Sequence, residues 1–149
     1  MFDHLEKGTV ADLDFVLLEE ARSEHRFIHR WPEPEHRRAL TDPACHYVVG
    51  RNKADGAIGY GILFKQDDGA VELRRIVVNQ PNKGIGSAFL KAVLTYCTGA
   101  LQAQRVWLDV YEDNSRARHV YEKLGFRETP KRLKGDDSAT RIVMEWRGP

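Results

Sequence analysis

Residues Glu72 to Leu90 read ELRRIVVNQPNKGIGSAFL, and Trp107 to Phe126 read WLDVYEDNSRARHVYEKLGF. In the first stretch a run of β-branched and aliphatic residues gives way to a glycine-containing loop. Ile85, Ala88, Phe89, Ala92, Val93 and Cys97 then recur as one apolar stripe at helical spacing. Strand, glycine turn and helix are contiguous. In the second stretch Val106, Leu108 and Val110 alternate with Trp107, Asp109 and Tyr111, the pattern of a strand with two unlike faces. Ala117, Val120, Tyr121 and Leu124 mark another helix, which Gly125 is placed to cap.

Toward the N-terminus, Thr9 and Asp12 have the spacing of a capping box, and Leu13, Val16, Leu17 and Ala21 predict a helix from Val10 to about Ser23. Pro34 suits the first turn of a second short helix through Leu40, stopped by Asp42 and Pro43. His46 to Gly50, Ala57 to Phe64 and Val71 to Val78 read as hairpin-linked strands. In the last of them Val71, Leu73 and Val77 are expected on the face opposite Glu72, Arg74, Ile76 and Val78. Phe126 to Thr129 and Arg141 to Trp146 complete the set around a polar turn, with the longest gap between elements near Thr129 to Ala139. The expected fold is α/β of the α+β type: one domain over 1–149, with a mixed, mostly antiparallel sheet of six to seven strands and about four helices.

A chain of 149 residues, 42% hydrophobic and 30% charged, is globular in balance and can bury one core. Lys and Arg total 23 against 22 Asp and Glu, so no strong net field attracts nucleic acid or anionic lipid, and neither partner is expected. A mean hydropathy of -0.52 and the lack of a long apolar run argue against membrane insertion. Cys45 and Cys97 lack the paired spacing of zinc or redox motifs, and the histidines form no ligand pattern. No metal is expected, and a reducing, cytoplasmic location is.

Lys83, Gly84, Ile85, Gly86 and Ser87 join a strand end to a helix start, where several N–H groups lack intrahelical acceptors. Glycine permits close backbone approach, and the helix N-terminus is partially positive, so a pyrophosphate can bind there without a basic patch. Taken alone, glycines at this place favour a strand-terminating or tightly packed turn over a ligand loop. The dinucleotide GxGxxG would need glycine at Phe89, and no GxxxxGK[ST] is present in this segment.

The two stretches together resemble the GNAT superfamily of acyl-CoA-dependent N-acetyltransferases. Asn114, Ala117, Tyr121, Gly125 and Phe126 stand at the spacing of that family's second cofactor motif. The chain departs from the family at Pro81, where Gln or Arg is usual three positions before the first glycine; Gln80 lies one position earlier. The resemblance implies acetyl-CoA as cosubstrate, its phosphates on Asn82, Lys83, Gly84, Ile85, Gly86 and Ser87, and its pantetheine arm pairing with the backbone of Ile76, Val77 and Val78. Asn114, Ala117 and Tyr121 complete the cofactor set.

The reaction so implied is direct attack of an unprotonated primary amine on the thioester in a ternary complex. The departing thiolate resembles a cysteine of pKa about 8.5, so a phenolic O–H can protonate it, and Tyr121 is the expected acid. Tyr121 shares a stripe with Ala117, Val120 and Leu124, and spacing alone also fits core packing. Glu72 is the expected base, with Asp109 in reserve; as a strand glutamate, Glu72 can instead pair with Arg74. Phe27, Ile28, Trp31 and Arg74 are expected to bind the amine, with Glu24 and His36 in the same region. A second function of a different class remains open: a regulatory module that binds CoA without transferring its acyl group.

Overall fold

The computed structural model describes residues 4–22, 31–53, 56–79, 84–134 and 139–148. Its elements run β1 (His4–Lys7), α1 (Leu13–Glu20), α2 (Glu33–Thr41), β2 (Cys45–Asn52), β3 (Gly56–Lys65), β4 (Ala70–Val78), α3 (Ile85–Gly99), β5 (Arg105–Tyr111), α4 (Ser115–Lys123), β6 (Arg127–Lys134) and β7 (Thr140–Trp146). The strands form one seven-stranded sheet in the order β1-β2-β3-β4-β5-β7-β6. All neighbours are antiparallel except β4 and β5, which the α3 crossover makes parallel. The mixed, mostly antiparallel sheet with four flanking helices is therefore the architecture observed.

Each face of the sheet carries its own core. Phe89, Leu90 and Val93 of α3 pack on Val71, Leu73 and Leu108, with Tyr121 and Val120 of α4 at the margin. Opposite, Val16 of α1 packs on Tyr47, Tyr60, Ile62 and Val77, with Trp31 and Leu40 at the edge. Burial alternates along β5 without exception, so Val106, Leu108 and Val110 face the first core and Trp107, Asp109 and Tyr111 face away from it.

Several expectations need correction. The Thr9–Asp12 capping box forms, but it closes a 3-10 turn over Val10–Asp12 before α1 begins at Leu13, because the N3 carboxylate returns to the cap within one tight turn. Strand β1 went unread: it is four mostly exposed residues at the sheet edge, too short for a burial pattern. The stretch after Thr129 is not a gap, since β6 continues to Lys134 through a register shift between Glu128 and Arg132 that accommodates Pro130.

The most consequential correction lies in β4. Leu63 pairs with Leu73 but Ile62 pairs with Arg75, so Arg74 is an extra residue in the ladder. Val71 and Leu73 therefore join the α3 core while Val77 joins the opposite one, and the expected single face for all three breaks at the bulge.

Candidate active site

Strands β4 and β5 are paired only at Ala70↔Arg105, Val71↔Val106 and Glu72↔Trp107. Beyond Glu72, β4 stays bonded to β3 as far as Val78, and its other edge has no β5 partner. The backbone of Ile76, Val77 and Val78 thus borders an opening between two strands, a place where an extended amide-bearing arm can add to the sheet. At the end of β4 the chain enters α3 through Gly84, the N-cap residue, whose φ of +73° is the left-handed conformation glycine adopts without strain. Among the described residues no side chain caps this helix, and the N–H groups of Ile85, Gly86 and Ser87 have no acceptor within it. A Cβ built on Gly84 or Gly86 would meet nothing within 4 Å, so the turn opens onto free space. Donors without an acceptor inside the 15-residue helix, at its N-terminus beside an open strand edge, suit a phosphate-bearing ligand with an amide arm. Asn82, Lys83, Gln80 and Pro81 lie outside the described residues, as do Glu24, Phe27 and Ile28.

Four charged side chains converge where the strands part. Both oxygens of Glu72 accept from Arg74, at 2.5 Å from Nε and 2.7 Å from Nη2, and the Arg74 guanidinium lies 4.4 Å from the centre of the Phe64 ring. This pairing raises Arg74 above its ordinary value. Asp109, two residues past Trp107 on the same face of β5, faces Arg141 of β7 with Oδ1 and Nη1 3.5 Å apart. Burial holds the Asp109 carboxyl above the usual range; Arg141 and Arg74 pull it down and Glu72 pushes it up.

Tyr121 is half-buried on α4 with its ring 5.6 Å from that of Phe126. Desolvation and the Asp109 charge push its phenol up to about 12, so it carries its proton at neutral pH. Asn114 caps α4 with its Oδ1 accepting from Ala117 N at 3.3 Å. Gly125, at φ +105°, ends the helix as its sequence position suggested. Among the described residues no group of three or more His, Cys, Asp or Glu is arranged to hold a metal ion.

A second charged cluster escaped the sequence reading. Glu20 of α1 is buried, and Oε1 accepts from His36 Nε2 at 3.0 Å and from the Trp31 N–H at 3.2 Å. Its Oε2 accepts from the Tyr60 hydroxyl at 2.7 Å and from Arg75. His36 Nδ1 lies 2.6 Å from the Tyr47 hydroxyl, and Trp31 packs on His36 and over the Arg75 guanidinium. Burial opposes ionisation of Glu20, yet the His36 hydrogen bond, the Arg75 charge and the Tyr60 hydroxyl hold it down at about 2. His36 is 0% exposed, so it braces α2 against the sheet instead of lining an acceptor surface as expected. Sequence offered one signal, a Glu and a His on helices otherwise seeking apolar burial, but no means of pairing them with Arg75, 55 residues away.

With this geometry described, comparison with known proteins places the chain. It is 38% identical over 90 residues to an uncharacterized N-acetyltransferase of Mycobacterium tuberculosis, covering 59% of this chain and 56% of that protein. It is 29% identical over 93 residues to the spermine/spermidine N(1)-acetyltransferase of Bacillus subtilis, covering 55% of this chain and 61% of that one. The matches thus span little more than half of these curated relatives. In fold it resembles the ribosomal-protein-S18-alanine N-acetyltransferase of Escherichia coli, with a TM-score of 0.80 and 20% identity over 98% of this chain and 93% of that one. It also resembles the spermidine N-acetyltransferase of Vibrio cholerae solved with CoA and spermine, with a TM-score of 0.80 and 19% identity over 95% and 93% of the two chains. The acetyltransferase (GNAT) family model matches residues 14–126, from the first turn of α1 through the glycine turn to the Phe126 that follows α4. The chain belongs to the GNAT acetyltransferase family.

Proposed function

We propose that this protein transfers an acetyl group from acetyl-CoA to a primary amine by direct attack in a ternary complex. The observation that supports the proposal is the opening between β4 and β5 beyond Glu72, beside the N-terminus of α3. The turn from Gly84 to Ser87, with Asn82 and Lys83 before it, holds the phosphates. The β4 backbone at Ile76, Val77 and Val78 holds the pantetheine arm, and Asn114 and Ala117 flank it from α4. Phe27, Ile28, Trp31 and Arg74 border the acceptor.

The amine gives up one proton, its nitrogen bonds to the acetyl carbon, and the carbon–sulfur bond breaks. Tyr121 then donates its proton to the departing thiolate. A phenol that stays protonated to about pH 12 is always charged with the proton this step needs. The amine proton passes to the carboxylate pair. Both Glu72 oxygens are engaged by Arg74, which supports transfer to Glu72 through water, whereas the raised Asp109 with its one long contact supports direct transfer. The proton gained by the carboxylate and the one lost by Tyr121 balance through solvent.

The test is purified protein with acetyl-CoA and a panel of amines, following CoA release and the acetylated product. Stoichiometric CoA and acetylated amine are expected. Cofactor binding by calorimetry without product across small-molecule, peptide and lysine amines would instead support a CoA-binding regulatory module.

A further inference from the structure

Among the described residues, the ion pairs on the sheet face opposite the α3 core differ in how closely they are held. Glu72 is gripped by Arg74, and Arg105 lies 2.8 Å from Asp68. The Asp109–Arg141 pair is slack: Oδ1 and Nη1 stand 3.5 Å apart, and the Arg141 Nε is buried without a hydrogen-bond partner among the described residues. The register explains how they meet. Asp109 pairs with Val143, and Arg141 lies two residues along β7 on the same face, a diagonal neighbour. A guanidinium has five donors in a rigid fork that matches a carboxylate, and here the fork is underused.

We propose that Arg141 binds a carboxylate of the acceptor, and that the acceptor is an α-amino acid whose amine sits at Asp109. This rests on the acetyltransferase reading above and names its substrate class. The amine and carboxylate of an α-amino acid are joined through one carbon, so they present opposite charges side by side. Asp109 and Arg141 present the complementary pair, 3.5 Å apart. A polyamine has no carboxylate, and its further cations would face the Arg141 and Arg74 charges. A peptide N-terminus has an amide where the carboxylate would be. Once a carboxylate occupies Arg141, Asp109 loses the largest charge pulling its carboxyl down and becomes a stronger proton acceptor as the substrate arrives.

The test compares kcat/KM with acetyl-CoA for a free amino acid, its carboxamide and spermidine, in the wild-type chain and in Arg141→Gln and Arg141→Lys. The wild type should favour the acid over the carboxamide about 10- to 100-fold, the span of a charge-assisted hydrogen bond. That ratio should collapse toward one in Arg141→Gln and partly return in Arg141→Lys. Taking the ratio cancels any general effect of the lost charge on Asp109. Equal use of acid and carboxamide by the wild type, or a preference that survives Arg141→Gln, would overturn the carboxylate site while leaving acetyl transfer standing. No acetylation of any of the three amines would overturn the amino-acid acceptor, whereas acetyl transfer itself falls only if the wider amine panel also yields no product.

Discussion

Two clusters of charge sit on the same side of this sheet, and they differ in how completely their atoms are engaged. Around Glu20 both oxygens carry two donors each, from His36, Trp31, Tyr60 and Arg75, and all of these residues but the half-buried Trp31 are buried. Around Asp109 the nearest donor among the described residues is 3.5 Å away and the carboxylate is partly exposed. A buried ion whose lone pairs are all engaged has one low-energy arrangement, so it holds elements together. A half-exposed ion with slack can change partner or protonation at little cost, which a proton-transfer site requires. The first cluster ties α1 and α2 to β4 at Arg75; the second borders the opening just past the bulge at Arg74.

The comparison breaks most readily at Glu20. Glu20→Ala removes the carboxylate that three buried groups address, and a loss of about 3–5 kcal/mol, or on the order of 10 °C in Tm, is expected by thermal melting. A change within about 1 kcal/mol would mean that the network is passive filler. The same carboxylate predicts acid sensitivity. Its folded value of about 2 lies below its ordinary 4.5, so its contribution is complete above the ordinary value and drains as pH falls toward 2. Melting temperature against pH should show that slope in the wild type, and a smaller one in Glu20→Gln.

On the other side of the comparison, Tyr121→Phe keeps the ring against Phe126 and removes the proton. Turnover should fall about 100-fold with little change in acetyl-CoA affinity. Unchanged turnover, in a regime where single-turnover kinetics show chemistry to be limiting, would end its role as acid. Gly86→Val places a side chain in the free space over the α3 N-terminus, so CoA affinity measured by calorimetry should weaken about tenfold, the worth of one backbone hydrogen bond. A folded variant with native affinity would put the phosphates elsewhere. The smallest effect is expected for Glu72→Gln, below about tenfold at neutral pH and shrinking as free amine accumulates at high pH. A larger loss, constant with pH, would move Glu72 from proton transfer to holding Arg74 in place.

The strand, glycine turn and helix from Glu72 to Leu90, and the cap at Asn114 with its stop at Gly125, were legible because their signals are local. Side-chain period, capping chemistry and positive φ are decided within a few residues. The carboxylates and phenol proposed for the site were picked out in the same way, as residue types at fixed offsets from those elements. Asp109 opposite Arg141 and Glu20 under Arg75 were not, since each pair joins segments 32 or 55 residues apart. Strand β1 was missed because an exposed four-residue edge has no burial pattern to read.

From its sequence alone the protein had the order of its elements from α1 onward, its family and the chemical groups available for acyl transfer. Tertiary structure decided which of those groups face one another. The physical reason is register: strand side chains alternate with a period of two, and the one extra residue at Arg74 turns every later side chain of β4 to the opposite face. That single step sends Arg75 to Glu20 and leaves Arg74 on Glu72, while the unbroken register of β5 and β7 sets Arg141 beside Asp109.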